Sequence, residues 1–203
     1  AIFPMRVQAR EGNVALDLVL NEMKPMVLQG DQGLSQKSAE PGNASYYYSY
    51  PRLPTQGTMQ LDSTTFTVNG ASWLDREWST SALGPEQSGW DWFALQLDDG
   101  RELMFYRLRR KDGTTDSHSQ GMLVAADGQT KALRWDEVEL QPVGEWLSPT
   151  TGDLYPASWQ VHVPTEKIFL TIRPKIADQE MRLTVRYWEG AVTVNGRAGN
   201  QPL

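Results

Sequence analysis

The chain has 203 residues, a formal net charge of −6, 10% aromatic content with eight tryptophans, and no cysteine. The acidic balance repels a phosphate backbone, which argues against nucleic acid as a partner. Without thiols, disulfides, iron–sulfur clusters, thiolate zinc sites and cysteine nucleophiles are excluded. The two histidines, His118 and His162, stand too far apart in unlike contexts to build a histidine metal site.

Apolar runs fall far short of a membrane span, and no basic amphipathic stretch marks a lipid surface, so stable membrane insertion is not expected. The amino end shows no basic-then-apolar leader, so the protein is cytosolic or any signal lies outside this chain.

Helical periodicity is nearly absent. Phe3–Arg10 and Val14–Asn21 open as strands, since Val14, Leu16, Leu18 and Leu20 alternate with Ala15, Asp17, Val19 and Asn21. Residues 29–42 are polar and rich in Gly and Ser, and read as a long loop. Ser45–Tyr50, Thr55–Leu61 and Thr64–Val68 follow as β-prone runs. Ser79–Ser88, with Gly84 and Pro85 at its centre, reads as a linker. It divides the chain into units of residues 1–80 and 81–203.

Beyond it come Trp90–Leu97, Glu102–Arg109, Gly121–Ala125, Ala132–Leu140, Ser158–Val163, Ile168–Pro174, Met181–Tyr187 and Ala191–Val194. Short strands broken by Gly, Pro, Asn and Asp at this density predict an all-β sandwich or barrel. The run Phe66-Thr-Val-Asn-Gly70 returns as Val192-Thr-Val-Asn-Gly196, a faint internal repeat built on Asn-Gly turn chemistry.

One hairpin can be resolved further. Asp98, Asp99 and Gly100 form a three-residue loop with Gly in the left-handed conformation, pairing Leu95 with Leu103, Phe93 with Phe105 and Asp91 with Arg107. One face then carries Asp91, Phe93, Leu95 and Arg107, and the other Trp90, Trp92, Leu108, Tyr106 and Met104. An unpaired Asp91 carboxylate on an apolar face would be costly, and Arg107 is its partner or the two orient a ligand's polar group.

The densest chemistry is "GASWLDREWS", residues 70–79. If it is extended, Trp73, Asp75 and Glu77 share one side and Leu74, Arg76 and Trp78 the other. Indole faces attract cations, and a carboxylic acid held neutral by an apolar surround can donate a proton. Asp75 and Asp91 are therefore candidate proton donors. Trp73, Glu77, Trp78, Trp92, Tyr106, Arg107, Tyr48 and Glu189 are candidate ligand contacts. Tyr48 shares a strand face with Tyr46 and Tyr50, and Glu189 falls near a barrel end or domain interface. For each there is a plain structural role as an ion pair, turn cap or core aromatic. His118 sits in a polar loop and is expected to be exposed.

The series "GASWLDREWS", "GWDWFALQLDDGRELMFYRLR", "LSPTTGDLYPASWQVHVP" and "YWEGAVTVNG" resembles the motifs of the AttH-like proteins, relatives of the carotenoid 1,2-hydratases (hydroxyneurosporene synthases) and labelled secreted hydrolases. The resemblance runs over nearly the whole chain. It implies two consecutive lipocalin-like (calycin) antiparallel β-barrels, the first incomplete at its amino end. It also implies export to the bacterial periplasm or medium, and functional association with an ABC-type transporter. Hydrolysis itself has no signature here, neither G-x-S-x-G nor H-E-x-x-H. Three functions remain open: binding a small lipophilic molecule in an aromatic-lined pocket, hydro-lyase or isomerase chemistry with a carboxylic acid as proton donor, and an interaction domain. None calls for a metal or a cofactor.

Overall fold

The computed structural model describes residues 2–79, 83–183 and 185–203. Among them the fold is all-β, as expected: strands throughout, and one 3-10 turn at Pro164–Glu166. The strands pair antiparallel, and no sheet closes into a ring among the described residues. Two compact units emerge, Ala1–Gln96 with Gly100–Ala132, and Leu97–Asp99 with Leu133–Leu203.

The first unit contains β1 (Met5–Glu11), β2 (Val14–Leu20), β3 (Val27–Leu28), β4 (Leu34–Gln36), β5 (Ala44–Leu61), β6 (Thr64–Ser79), β7 (Gln87–Gln96), β8 (Glu102–Arg110) and β9 (Gln120–Val124). The division between units falls inside β10 (Thr130–Arg134), not after residue 80. Side-chain packing supplies the reason: Tyr47 of β5 shares a buried cluster with Met104, Tyr106 and Leu108 of β8. Of the expected linker, residues 80–82 lie outside the described residues, and Gln87 already begins β7.

The two runs expected at Ser45–Tyr50 and Thr55–Leu61 are one strand, the 18-residue β5, which pairs along its length with the 16-residue β6. Pro51 and Pro54 do not end it: Pro51 falls at a register shift between Tyr50 and Leu53, where a bulge tolerates its missing N–H, and Pro54 pairs with Ala71 just beyond. Gly57 is needed there for close approach, since a Cβ would stand 2.0 Å from the Asp17 carbonyl oxygen on β2. The expected loop at 29–42 holds β4 and follows directly on β3, both too short for a periodic signal and both docked on β5.

At the far end of the hairpin, β1, β2, β5 and β6 make an amphipathic sheet. Ala9, Leu16, Met59 and Phe66 lie in register on one face, with Val7 and Leu18 paired beside them. Phe66 is 50% exposed and Met59 42%. The opposite face is polar and forms an open trough of about 440 Å³ lined by Gln8, Arg10, Asp17, Thr58, Gln60 and Thr65.

The β7–β8 register is the one read from sequence, with Asp91 opposite Arg107, Trp92 opposite Tyr106 and Phe93 opposite Phe105. Gly100 has φ +84° in the connecting turn. A buried triad fixes this hairpin within the unit. Glu102, with no exposed surface, accepts from Lys24 Nζ at 2.7 Å and from Arg52 Nε, and Lys24 also donates to the Ala125 carbonyl at 2.8 Å.

The second unit holds β11 (Glu139–Leu147), β12 (Leu154–Val163), β13 (Ile168–Pro174), β14 (Glu180–Arg182), β15 (Arg186–Trp188), β16 (Val192–Ala198) and β17 (Gln201–Pro202), with sheet order β11-β12-β13-β16-β17. Trp159, Val161 and Val163 are buried and His162 faces the other way, paired with Glu139. The expected strand Met181–Tyr187 is the β14–β15 hairpin. The Asn-Gly pairs of the faint repeat make no turns: Asn69–Gly70 and Asn195–Gly196 both lie inside long strands, where pairing with β5 and β13 overrides local turn preference.

Candidate functional site

Pairing of β5 with β6 sets Ser45, Tyr47 and Ser49 opposite Ser79, Glu77 and Asp75. Strand alternation puts all of these side chains on one face. "GASWLDREWS" is therefore extended, and its two acids do share a side with Trp73. Trp73 and Trp92 pack, half-buried, on the cluster of Tyr47, Met104, Tyr106 and Leu108. The Trp92 indole N–H donates to the Tyr47 hydroxyl at 3.3 Å.

Asp75 is the focus. Its Oδ1 accepts from Ser49 Oγ at 2.5 Å, and Ser49 Oγ in turn accepts from Gln29 Nε2 at 2.9 Å. Ser49 is fully buried and Gln29 is 1% exposed. Burial raises the Asp75 carboxyl above the ordinary range, more than the donors at Ser49, Trp73 and Tyr47 pull it down, and the Glu77 charge adds to the rise. No ion pair with Asp75 forms among the described residues. The Tyr47 hydroxyl is likewise pushed well up, first by burial and then by the Asp75 charge. Two buried polar atoms here lack a hydrogen bond of good geometry, Gln29 Oε1 and the Trp73 indole nitrogen, the latter near enough to Asp75 to favour its ionised form.

Glu77 has a different environment two residues away. Lys37, 8% exposed, places Nζ 2.8 Å from Glu77 Oε1 and 3.9 Å from the Tyr106 ring centroid. Ser45 Oγ donates to the same Glu77 oxygen at 2.5 Å. The Tyr106 hydroxyl bonds Ser35 Oγ at 2.8 Å and accepts from Gln120 Nε2 at 2.9 Å. One carboxyl is thus covered by an ammonium and the other is left in an apolar, hydroxyl-lined setting.

The structure brings together Trp73, Asp75, Glu77, Trp92 and Tyr106 from the sequence reading. It does not place the other expected residues with them. Asp91 is no free acid: Arg109 Nη1 occupies Oδ1 at 2.5 Å, and Arg107 Nε and Nη2 occupy Oδ2 at 2.8 and 2.7 Å. Both oxygens are taken, so Asp91 and Arg107 form an anchor across β7–β8. Tyr48 and Trp78 stand on the opposite face of the β5–β6 hairpin, with ring centroids 5.8 Å apart and Arg76 5.1 Å from the Trp78 ring. Glu189 belongs to the second unit, exposed at the end of β15 beside Tyr187.

Sequence reasoning missed Tyr47, Ser49, Lys37 and Gln29. Alternation marked Tyr46, Tyr48 and Tyr50 as the aromatic face of β5, whereas the site uses the face between them. Lys37 and Gln29 come from the segment read as loop. His118 is also less exposed than expected: its Nδ1 lies 2.8 Å from Oδ1 of the buried Asp116. Among the described residues, no group of three or more His, Cys, Asp or Glu could hold a metal ion.

Comparison with known proteins gives this geometry a family. A crystal structure of an AttH protein from Nitrosomonas europaea superposes with a TM-score of 0.86 at 35% identity, covering 97% of this chain and 61% of that one. The crystal structure of kievitone hydratase from Nectria haematococca matches with a TM-score of 0.77 at 20% identity, covering 97% of this chain and 60% of that one, a likeness of fold. The chain spans about three fifths of the length of each. No curated protein matches it by sequence. The AttH-like family model covers residues 1–201, and the chain belongs to that family.

Proposed function

We propose that this AttH-like protein binds an apolar or amphipathic unsaturated molecule against Trp73 and Trp92, and that Asp75 protonates it in a hydro-lyase or isomerase reaction. The observation that carries this reading is the Asp75 environment: a carboxyl raised by burial, held by hydroxyls with no counter-cation among the described residues, beside two indoles. A proton donor to carbon must keep its proton near neutral pH, and the cation that forms needs electron-rich faces around it.

In the hydration direction, the Asp75 proton goes to one alkene carbon and the π-electron pair forms that C–H bond. The other carbon becomes a carbocation beside the Asp75 carboxylate. Water adds to it and returns one proton to Asp75, so alkene plus water gives alcohol. Loss of a neighbouring proton instead of water capture gives the isomer. The hydratase name of the Nectria haematococca relative supports this class.

The test pairs turnover with binding. Lipophilic alkenes and tertiary alcohols are incubated with the protein and with Asp75→Asn, and products are followed by mass spectrometry beside tryptophan quenching. Turnover that Asp75→Asn abolishes while binding persists is the expected result. Binding with no turnover in either protein would reduce the function to a carrier.

A further inference from the structure

We infer that the face around Trp73, Asp75 and Trp92 is a binding site for an organic cation, an ammonium group carried on an apolar chain. The inference rests on the proposed function for the position of the ligand and goes beyond it in naming a charge. A cation is already seated in the adjoining half of the cluster. The Lys37 ammonium lies 2.8 Å from Glu77, 3.9 Å from the Tyr106 ring centroid and 5.6 Å from that of Tyr47. Carboxylate and aromatic face together hold it, which is how ammonium groups are recognised.

The other half repeats those ingredients without a cation of its own among the described residues. Trp73 and Trp92 pack on the same aromatic cluster, and Asp75 shares the strand face of Glu77. Gln29, 1% exposed, joins the network that reaches Asp75 by donating through Nε2 to Ser49. A carboxyl and two indoles make an electron-rich surface, which an anion would not enter. A stable ammonium there imitates the carbocation paired with the Asp75 carboxylate.

Binding a cation favours ionised Asp75, so association releases a proton and affinity rises with pH. The titratable groups around Asp75 are Tyr47 on β5, Glu77 on β6, and Lys37, which is already engaged by Glu77. None of the three supplies a competing cation to Asp75.

The experiment titrates octyltrimethylammonium, its uncharged tert-butyl analogue and octyl sulfate into the purified chain below their micelle concentrations, at about pH 5 and about pH 8, reading tryptophan fluorescence and heat. The ammonium is expected to bind about tenfold more tightly than the uncharged analogue, with the preference larger at the higher pH. Asp75→Asn should erase that pH dependence, and Trp92→Leu, which leaves the carboxyl in place, should shrink the preference about threefold. Equal affinity for the ammonium and the uncharged analogue overturns the cation site and leaves the lipophile reading standing. Binding of the ammonium without the uncharged analogue supports the cation site and sinks the lipophile reading. Binding of neither overturns both.

Discussion

Ser49 Oγ donates to Asp75 Oδ1 at 2.5 Å while accepting from Gln29 Nε2 at 2.9 Å, so the acid is anchored through a hydroxyl relay. The Ser49 bond favours the ionised carboxyl. Ser49→Ala should therefore push Asp75 further up, and carbon-13 titration of the Asp75 carboxyl reads that shift. The buried Gln29 amide loses its partner as well, at a cost of about 1–3 kcal/mol in denaturant unfolding. A titration curve unmoved by the substitution would break the relay.

The raised Asp75 also makes a prediction about stability. The native state holds its proton to higher pH than the unfolded chain, whose carboxyl titrates near the ordinary aspartate value of 3.8. Protons bound in the native state then exceed those bound unfolded, so stability falls as pH rises through that window, and the penalty persists above it. An amide never ionises. Asp75→Asn should melt higher than the parent at neutral pH, with the gap closing as pH drops below 3.8. A lower melting point at neutral pH would contradict the desolvation account.

Asp91 makes a prediction about stability from its ion pairs alone. Its oxygens hold Arg107 and Arg109, the latter with a side chain 38% exposed. Removing the acid strands one largely buried guanidinium and one that water still screens. Asp91→Ala should cost about 2–3 kcal/mol of stability, less than a fully buried pair would. Ligand affinity per folded molecule should stay at the parent level, which equilibrium titration at low temperature checks.

How legible this was from sequence depends on which interactions decide each feature. The β7–β8 register follows from the three-residue turn and period-2 alternation, both local, and Asp91 opposite Arg107 came out correctly. The same alternation put Trp73, Asp75 and Glu77 on one face. What decides between Asp75 and Asp91 is not local. Asp91 gains a second arginine, Arg109, which stands opposite Gly89 and reaches diagonally to the acid. Asp75 escapes a cation because Lys37 reaches Glu77 instead, from a segment whose two-residue and three-residue strands carry no periodicity. The compact units also divide elsewhere than at the expected linker. Composition marks where the chain bends, while packing of Tyr47 on Met104 and Tyr106 decides what stays together.

The far end of the β5–β6 hairpin exposes Met59 and Phe66, directly opposed and in register with Leu16. Contiguous exposed apolar surface of this kind recruits dyes and other apolar surfaces. Phe66→Lys should lower anilinonaphthalene sulfonate fluorescence and concentration-dependent association, while shifting unfolding by no more than about 0.5 kcal/mol. Dye binding that is instead reduced by Trp92→Leu would locate the accessible apolar surface at the Asp75 site.

Glu180 gives the second unit its own acid signature. Arg182 Nε donates to Oε2 at 2.8 Å, Ser148 Oγ to the same oxygen at 2.9 Å, and the Thr151 and Tyr155 hydroxyls to Oε1 at 2.7 and 2.9 Å. These bonds, Arg182 foremost, bring the carboxyl down from 4.5 to about 2 and tie the β14–β15 hairpin to the β11–β12 turn. Between those two values the unfolded chain binds the proton and the native state does not, so stability rises with pH across the window. The contribution is complete above 4.5 and disappears as pH falls through about 2. Glu180→Gln keeps the shape and removes the charge. It should unfold at lower denaturant than the parent at neutral pH, and the two midpoints should converge as the solution is acidified towards pH 2. Parallel curves with no convergence would mean that Glu180 acts only by filling space, and that the four donors contribute nothing through its charge.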